Sequence, residues 1–380
     1  MNRSTIVILI DALGFEIARR HGFRPAPLPF QGRLRTVFGF SQAALTTIFT
    51  GLRPDRHGLW LMYSFAAERS PFGWLGLLPP GATMERRWVR RLARWKLERL
   101  DRIASYYSLY DIPRNVLRHL DLPARRNLFA PGGVRECRSV FDELERTGGA
   151  RLIWDYRTPE DESFDALEKA VGEQRASFYL LYTAGLDSAL HRYGSGDERI
   201  GRRLAWYGER IARIAGLCPK SSVFVFGDHG MCDVTAHHDL ISSIDALGLS
   251  VPGDYIPFYD STMARFRVFS ERAARSLGGV LEGCRWGRLL DSEELSHLGT
   301  SFPDGRFGDL VFLADVGSII LPSYMSRQAV SGMHGYHPDS PCMDGALFTN
   351  VEIPSPELFV GDLAGFMVPG FTPDGAGGAP

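Results

Sequence analysis

An Asp-His pair between two glycines is the most specific chemical pattern in the sequence. Residues 227–230 read Gly-Asp-His-Gly and directly follow a wholly apolar run at 223–226. Neighbouring side chains of a regular strand point to opposite faces, whereas flanking glycines permit a loop in which Asp228 and His229 both turn toward one ion. Carboxylates and imidazoles are ligands of Zn²⁺ and similar cations. The pattern therefore favours a metal site over a simple turn.

Three other segments carry the same ligand types at the ends of predicted elements. Asp11 closes the apolar run at 6–10, Asp187 and His191 stand four residues apart, and His334 lies in a glycine-rich loop. On a helix, a spacing of four places the carboxylate and the imidazole on one face. Each segment also has an ordinary interpretation, such as a helix cap for Asp11 or a surface ion pair for Asp187 and His191. Taken singly, none of them establishes a site.

Ser41 is the candidate nucleophile. It follows Gly39-Phe40 and precedes an apolar stretch at 44–49, so we expect it at a helix N-terminus. Backbone N–H groups at such a position favour an anion, which suits an oxygen that accepts a phosphoryl group. An ordinary N-cap serine has the same appearance, so both interpretations stay open at this point.

Apolar runs of strand length must position these groups. They lie at 5–10, 152–156, 178–182, 223–226 and 310–313, separated by helical patterns. Such runs suit strands covered on both faces, which predicts an α/β fold with a mainly parallel central sheet and helices on both faces. In that architecture ligands bind beyond the carboxyl ends of the strands, where Asp11, residues 183–187 and residues 227–229 would lie.

Length and texture predict one α/β domain over residues 1–370. Two insertions, at about 59–130 and 236–294, are expected to form a cap, and a Gly/Pro/Ala-rich tail at 371–380 is expected to be flexible. The composition, 44% hydrophobic and 23% charged, predicts a globular protein. The net charge of −1 argues against a nucleic-acid polymer as partner.

The cysteines and hydropathy predict a reduced, cytoplasmic protein. The five cysteines are odd in number, scattered and without a CxxC pair. The apolar run at 6–10 is too short for a signal peptide, and no window offers the ~18 apolar residues that a transmembrane helix needs.

Taken together, the chemical segments resemble the metal-binding pattern of the alkaline phosphatase superfamily, closest to its nucleotide pyrophosphatase/phosphodiesterase (type I phosphodiesterase) branch. The shared order is a strand-terminal Asp, a nucleophile with a downstream Thr-Gly-Leu-x-Pro-x-x-His-Gly, then Asp-x-x-x-His, Asp-His-Gly-Met and His-Gly-Tyr. The resemblance implies an alkaline phosphatase-like fold and two divalent metal ions, Zn²⁺ with Mn²⁺ as the alternative. It assigns one ion to Asp11, Ser41, Asp228 and His229, and the other to Asp187, His191 and His334.

The resemblance also implies a reaction. The expected activity is hydrolysis of a small-molecule phosphoester, a diester or pyrophosphate, through a phosphoseryl intermediate on Ser41. Coordination of the serine oxygen to a dication stabilises the alkoxide, and a second ion stabilises the leaving oxygen. Phosphotransfer, phosphonate hydrolysis and a non-catalytic metal-binding protein are the alternatives.

One departure concerns substrate recognition. In the phosphodiesterase branch an Asn downstream of the nucleophile typically contacts a phosphoryl oxygen, but residues 42–58 contain no Asn. Gln42 and Arg192 are therefore candidate substrate contacts. The Cys/Ser-x-Pro-x-Arg pattern of sulfatases is absent from the sequence. We expect His57 to be structural, and His237 and His238 are solvated loop residues or reach the site.

The segment at 84–103 is basic and aromatic. It carries eight basic against three acidic residues, with Trp88, Leu92 and Trp95 at helical spacing. Three interpretations stay open: the Trp stripe packs on the main domain, it lines the pocket, or it makes peripheral contact with an anionic membrane.

Overall fold

The apolar runs form strands in the computed structural model, which describes residues 4–79 and 83–374. Among these residues the strands are β1 (Thr5–Ile10), β2 (Phe30–Arg35), β3 (Ser64–Phe65), β4 (Leu120–Asp121), β5 (Arg151–Trp154), β6 (Phe178–Thr183), β7 (Ser222–Phe226), β8 (Cys232–Asp233), β9 (Ala236–His238), β10 (Tyr255–Tyr259), β11 (Met263–Val268), β12 (Gly287–Leu290), β13 (Leu310–Ala314), β14 (Ser318–Ile320), β15 (Gly332–Met333), β16 (Gly345–Thr349) and β17 (Glu357–Phe359).

Helices connect most of these strands. They are α1 (Phe15–Arg20), α2 (Ser41–Thr50), α3 (Pro54–His57), α4 (Arg87–Arg99), α5 (Arg114–Leu117), α6 (Val140–Thr147), α7 (Glu160–Gly172), α8 (Gly185–Tyr193), α9 (Glu198–Leu217), α10 (Leu240–Asp245), α11 (Glu271–Glu282), α12 (Ser292–His297) and α13 (Leu363–Met367). Short 3₁₀ helices cover Gly73–Leu77, Pro341–Met343 and Val360–Asp362. Among the described residues, no helix combines the length and the apolar character needed to cross a bilayer.

The chain divides into two compact units. The first unit contains Met1–His57, Leu128–Asp233 and Val330–Pro380, and the second contains Gly58–Asn127 and Val234–Ala329. Both units are therefore built from separated stretches of the chain.

The first unit is organised around a seven-stranded sheet of order β17-β2-β16-β7-β1-β6-β5. Strand β1 pairs in parallel with β6 and β7, and β5 pairs in parallel with β6. Strand β16 runs antiparallel to both of its neighbours, whereas β17 is parallel to β2. The prediction of a mainly parallel central sheet flanked by helices is confirmed.

The centre of this sheet is buried on both faces. Ile6, Ile8 and Ile10 of β1 belong to a hydrophobic cluster with residues of α7 and α9. Val7 and Leu9, which point to the opposite face, are also fully buried. Burial on both faces explains why the run is continuously apolar rather than alternating.

The second unit is described by its own sheet, four antiparallel strands of order β10-β11-β13-β12. The expectation that the run at 310–313 belongs to the main sheet is wrong, because β13 pairs with β11 and β12. An apolar run records burial and strand length, but not its pairing partners. This unit overlaps the predicted insertions at 59–130 and 236–294, and its second stretch extends to Ala329.

Two of the cysteines are bonded to each other. Cys232 and Cys342 form a disulfide, so the expectation that the cysteines are reduced is wrong at this pair. The two residues are 110 positions apart, and sequence spacing gives no indication of a pair that the fold brings together. Cys137, Cys218 and Cys284 are free thiols.

Part of the predicted flexible tail is described. Asp374 accepts hydrogen bonds from the backbone N–H and the Nε of Arg138, at 2.7 and 2.9 Å. Phe371 is buried. Residues 375–380 of that predicted tail lie outside the described part of the chain.

Candidate active site

The ends of the central parallel strands gather the predicted ligands at one edge of the sheet. The register pairs Ile10 with Thr183 and Leu9 with Phe226, so β1, β6 and β7 end side by side. Asp11 therefore follows β1 beside the loop that carries Asp228 after β7. All seven predicted ligands lie in the first unit.

Asp11, Asp228 and His229 form the first group that could hold a metal ion. The Nε2 atom of His229 lies 3.4 Å from Oδ1 of Asp11 and 3.4 Å from Oδ2 of Asp228. All three side chains are buried. Two carboxylates therefore converge on one imidazole nitrogen in a desolvated setting.

Ser41 faces this first group. It is the first residue of α2, and Phe40 rather than Ser41 occupies the N-cap position. The Ser41 Oγ lies 2.9 Å from Nε2 of His229. The interpretation of Ser41 as an ordinary N-cap is therefore wrong, because its hydroxyl contacts His229 at the group of carboxylates.

Asp187, His191 and His334 form the second group. Asp187 and His191 lie one turn apart on α8, and His334 follows β15. Oδ1 of Asp187 is 3.3 Å from Nε2 of His191 and 3.6 Å from Nε2 of His334. The rings of His229 and His334 stack with centroids 4.0 Å apart, so the two groups are adjacent.

Hydrogen bonds to backbone carbonyls orient two of the imidazoles. Nδ1 of His229 lies 2.9 Å from the Gly230 oxygen, and Nδ1 of His191 lies 2.8 Å from the Gly332 oxygen. A carbonyl only accepts, so each neutral ring carries its proton on Nδ1 and presents an Nε2 lone pair. Such a backbone partner is typical of metal-ligating histidines.

The carboxylates are oriented in the same way. Tyr182 donates to Oδ2 of Asp11 at 2.5 Å. The backbone N–H groups of Ala12 and His229 donate to Oδ1 of Asp228, at 3.2 and 3.1 Å. The opposite oxygens, Asp11 Oδ1 and Asp228 Oδ2, are buried and have no hydrogen-bond partner among residues 4–79 and 83–374, and the same holds for Oδ1 of Asp187. Lone pairs thus face lone pairs, which is costly unless a cation lies between them.

The pKa values of the buried carboxyl and imidazole groups also indicate a site for a cation. Burial, followed by the charges of Asp228 and Asp187, raises the pKa of Asp11 well above its usual range. Burial raises the pKa of Asp228 to about 7. Burial and the neighbouring histidines lower the pKa of His334 well below its usual value. Buried carboxylates beside neutral imidazoles disfavour negative charge in the absence of a cation, and the oxygen and nitrogen donors of the site fit a divalent cation.

The two glycines of the Asp-His loop are required by close backbone packing. A Cβ on Gly227 would lie 2.3 Å from the Leu13 oxygen, and one on Gly230 would lie 2.2 Å from the Cys342 oxygen. Neither glycine has a positive φ. The sequence interpretation located the loop correctly, but the reason for the glycines is contact rather than unusual dihedral angles.

The two predicted substrate contacts lie in different settings. Gln42 is half-buried beside Ser41, and its Nε2 is buried without a hydrogen-bond partner in the described part of the chain. Arg192 is exposed, with its guanidinium 5.2 Å from the centre of the Tyr193 ring. Only Gln42 adjoins the candidate nucleophile.

Three further histidines, His57, His237 and His238, belong to neither group of candidate ligands. His57 is fully buried, with Nε2 at 3.1 Å from Oγ1 of Thr47, and burial lowers its pKa to about 3. His238 stacks on Trp286 with ring centroids 4.3 Å apart, and His237 is exposed.

Sequence reasoning missed Tyr182. It is the fifth residue of β6 and counts there as one more apolar position of the strand. Its polar end was the available signal, because a buried tyrosine hydroxyl requires a partner.

Solved structures share the fold. Murine ectonucleotide pyrophosphatase/phosphodiesterase 5 superposes with a TM-score of 0.67 at 14% identity, covering 96% of this chain and 94% of that chain. An inactive variant of the murine protein in complex with AMP superposes with a TM-score of 0.65 at 14% identity, covering 96% of this chain and 94% of that chain. Human ectonucleotide pyrophosphatase/phosphodiesterase 5 superposes with a TM-score of 0.66 at 12% identity, covering 96% of this chain and 94% of that chain. No curated protein matches the sequence.

The family is shown by the sequence itself. The family model for type I phosphodiesterase/nucleotide pyrophosphatase matches residues 33–337, more than half of the chain. This family is metal-dependent, in agreement with the two candidate groups of ligands. The chain therefore belongs to the type I phosphodiesterase/nucleotide pyrophosphatase family and is a phosphoester hydrolase.

Proposed function

We propose that this enzyme cleaves small phosphodiesters or nucleotide pyrophosphates through a phosphoseryl intermediate on Ser41, with two divalent metal ions. The observation that carries the proposal is the position of the Ser41 Oγ. It lies at the N-terminus of α2 and 2.9 Å from Nε2 of His229, one of the six residues that form the two candidate metal groups.

The donors divide into two sets. Asp11, Ser41, Asp228 and His229 would hold one ion, and Asp187, His191 and His334 the other. Zn²⁺ suits this mixture of carboxylate and imidazole ligands, with Mn²⁺ as the alternative. When bound, the ions supply positive charge that stabilises the serine alkoxide and the leaving oxygen.

Ser41 makes and later releases the covalent bond to phosphorus. Its Oγ attacks, an Oγ–P bond forms, and the P–O bond to the leaving group breaks. Water then attacks phosphorus and breaks the Oγ–P bond, which restores the Ser41 hydroxyl and releases the phosphomonoester product. The backbone N–H groups of Ser41 and Gln42 belong to the first turn of α2, where they would stabilise the phosphoryl charge.

Gln42 takes the place of the missing Asn in this proposal. Its buried Nε2, which no described residue accepts from, is a donor that a non-bridging phosphoryl oxygen would satisfy. The complex of the murine variant with AMP supports small nucleotides as the substrate class. Arg192, which is exposed, is the weaker candidate for the same role.

The proposal is tested with purified protein in the presence of Zn²⁺ or Mn²⁺. Bis(p-nitrophenyl) phosphate, p-nitrophenyl phosphate and a phosphonate monoester separate diesterase, monoesterase and phosphonate activity. Added acceptor alcohols report phosphotransfer. We expect turnover of the diester, and mass spectrometry of acid-quenched protein should locate a p-nitrophenyl phosphoryl group on Ser41.

Two serine variants make the assay specific. Ser41→Ala should lower kcat by at least about 10³-fold, because the nucleophile is lost. Ser188→Ala is the matched control, since Ser188 is an exposed serine adjacent to Asp187, and its kcat should stay at the wild-type value. Retention of turnover in Ser41→Ala would exclude the phosphoseryl pathway. Absence of bound metal after reconstitution would exclude the two-ion site.

A further inference from the structure

Helix α4 has two apolar stripes, only one of which is packed. Val89, Ala93 and Leu97 are buried in the hydrophobic cluster of the second unit. Trp88 and Trp95 lie on another side of the helix and are 49% and 52% exposed. The interpretation in which the Trp stripe packs on the protein is therefore wrong.

The exposed stripe is continuous. Trp88, Leu92 and Trp95 follow the i, i+4, i+7 spacing of one helix face, and Leu92 is 39% exposed. Leu100 and Tyr106, just beyond the helix, are 60% and 55% exposed. Large apolar side chains that share one exposed face are typical of an interaction site rather than of scattered surface residues.

The same segment carries unneutralised positive charge. Six arginines are exposed there and lie within 4 Å of no carboxylate in the described ranges. They are Arg86, Arg87, Arg91, Arg94, Arg99 and Arg102. By contrast, Arg90 pairs with Asp111 at 3.6 Å and Lys96 pairs with Asp101 at 2.7 Å. The surface therefore combines an apolar stripe with a field that attracts anions.

The charge decides among the occupants of this surface. A second copy of the chain would bring its own arginines against these arginines, and that repulsion opposes a symmetric contact. An anionic bilayer supplies apolar volume for the indoles and phosphate groups for the guanidiniums together. Tryptophan is enriched at membrane–water interfaces for the same reason.

We propose that α4 docks this enzyme on the surface of an anionic phospholipid bilayer, with Trp88, Leu92 and Trp95 inserted at the headgroup level and the arginines on lipid phosphates. The helix lies in the plane of the interface and does not span it. Each basic residue near such a surface contributes roughly a fivefold gain in binding.

Vesicle co-sedimentation of the full chain tests the proposal. The vesicles are phosphatidylcholine alone or phosphatidylcholine with phosphatidylserine, each at low and high salt. We expect binding to the anionic vesicles at low salt and much weaker binding at high salt, because screening weakens the arginine contribution. A blue shift of tryptophan emission should accompany binding. Absence of binding to anionic vesicles at low salt would overturn the proposal.

Two variants probe the two halves of the surface. Trp88→Ser/Trp95→Ser removes the indoles, and Phe269→Ser is its control because Phe269 is 52% exposed elsewhere in the second unit. We expect the indole variant to lose vesicle binding and the control to retain it. Equal binding by both would show that α4 does not dock.

The charge variant has a matched control as well. Arg87→Gln/Arg91→Gln/Arg94→Gln should weaken binding on the order of 100-fold, from about fivefold for each arginine. Arg272→Gln/Arg275→Gln/Arg285→Gln removes the same charge from exposed positions of the second unit and should have little effect. Equal losses in the two triple variants would indicate non-specific attraction and contradict the proposal.

Two further measurements distinguish membrane docking from self-association and from a change in catalysis. Light scattering in the absence of lipid should show no self-association, and a dimer that Trp88→Ser/Trp95→Ser dissociates would assign the stripe to a second copy instead. Hydrolysis of a soluble diester should be unchanged in all α4 variants, so the outcome is independent of the proposed function.

Discussion

Removal of the Tyr182 hydroxyl should weaken metal binding at the first group of ligands. The phenol donates to Oδ2 of Asp11 at 2.5 Å and is buried. Burial and the neighbouring Asp11 raise the pKa of Tyr182 well above its usual value, so the phenol stays protonated and donates. With Oδ2 held in this way, Oδ1 points toward His229 at 3.4 Å.

The size of the effect follows from this geometry. Loss of a hydrogen bond that orients a metal ligand typically costs 10–100-fold in metal affinity, or about 1.4–2.7 kcal/mol. Tyr182→Phe keeps the ring and its packing, so the change is confined to the orientation of Asp11. We expect the affinity for the first ion to fall within that range.

The same strand offers a matched control. Tyr179 is buried on the opposite face, and its hydroxyl donates to the Ala170 oxygen at 3.3 Å and accepts from the Ala176 N–H at 2.9 Å. Tyr179→Phe also loses buried hydrogen bonds and some stability, but it touches no ligand.

Metal titration distinguishes the two variants. Co²⁺ absorption and Zn²⁺ competition report affinity and ligand geometry directly, without relying on turnover. The Tyr182→Phe spectrum should change, whereas the Tyr179→Phe spectrum should match that of the wild type. Identical Co²⁺ spectra and affinities in the two variants would refute the positioning role of Tyr182.

Three further predictions concern stability. In metal-free protein the pKa of Asp228 is raised to about 7, so the native state keeps a proton on Asp228 after the unfolded state has released it. The free energy of unfolding should therefore fall as pH rises from about 4 to about 7, and urea titrations should show a weaker pH dependence of this free energy in Asp228→Asn. Gly230→Ala should lower the free energy of unfolding by about 1–3 kcal/mol, because its Cβ would lie 2.2 Å from the Cys342 oxygen, whereas Gly278→Ala, with open space in α11, should raise it by up to about 1 kcal/mol. Thermal melts that rank the two variants in reverse would contradict the packing argument. Reduction of the Cys232–Cys342 bond, which closes a separation of 110 residues, should cost roughly 4–5 kcal/mol of unfolding free energy, and Cys232→Ser should be insensitive to reductant.

The sequence indicated which candidate ligands would lie close together because the pattern that places each of them is local. Asp11 and Asp228 each directly follow a run that is buried on both faces, and such runs indicate central parallel strands. Parallel pairing then places the ends of those strands together, as the pairing of Ile10 with Thr183 shows. Residues that are distant in sequence could therefore be predicted to lie close together, because each follows a neighbouring parallel strand.

Features that depend on distant partners escaped prediction. The run at 310–313 has the same apolar character as a central strand, but it pairs with β11 and β12 in the antiparallel sheet. In α4 two stripes share helical spacing, and the smaller residues Val89 and Ala93 are the packed ones. The sequence pattern favoured burial of the tryptophans because it records the polarity and size of each side chain. It does not record which part of the protein lies next to that side chain.

The placement of His334 shows how distant parts of the chain are fixed within the first unit. His334 follows the second unit's last residue in sequence, yet β15 pairs with β8, and Ser331 donates its N–H to the His191 oxygen at 2.8 Å. The Gly230 N–H donates to the Met343 oxygen at 2.8 Å, and the Cys232–Cys342 bond lies beside that contact. Because β8 closely follows the Asp228-His229 loop and β15 directly precedes His334, the β8–β15 pairing holds the two groups of candidate ligands next to each other.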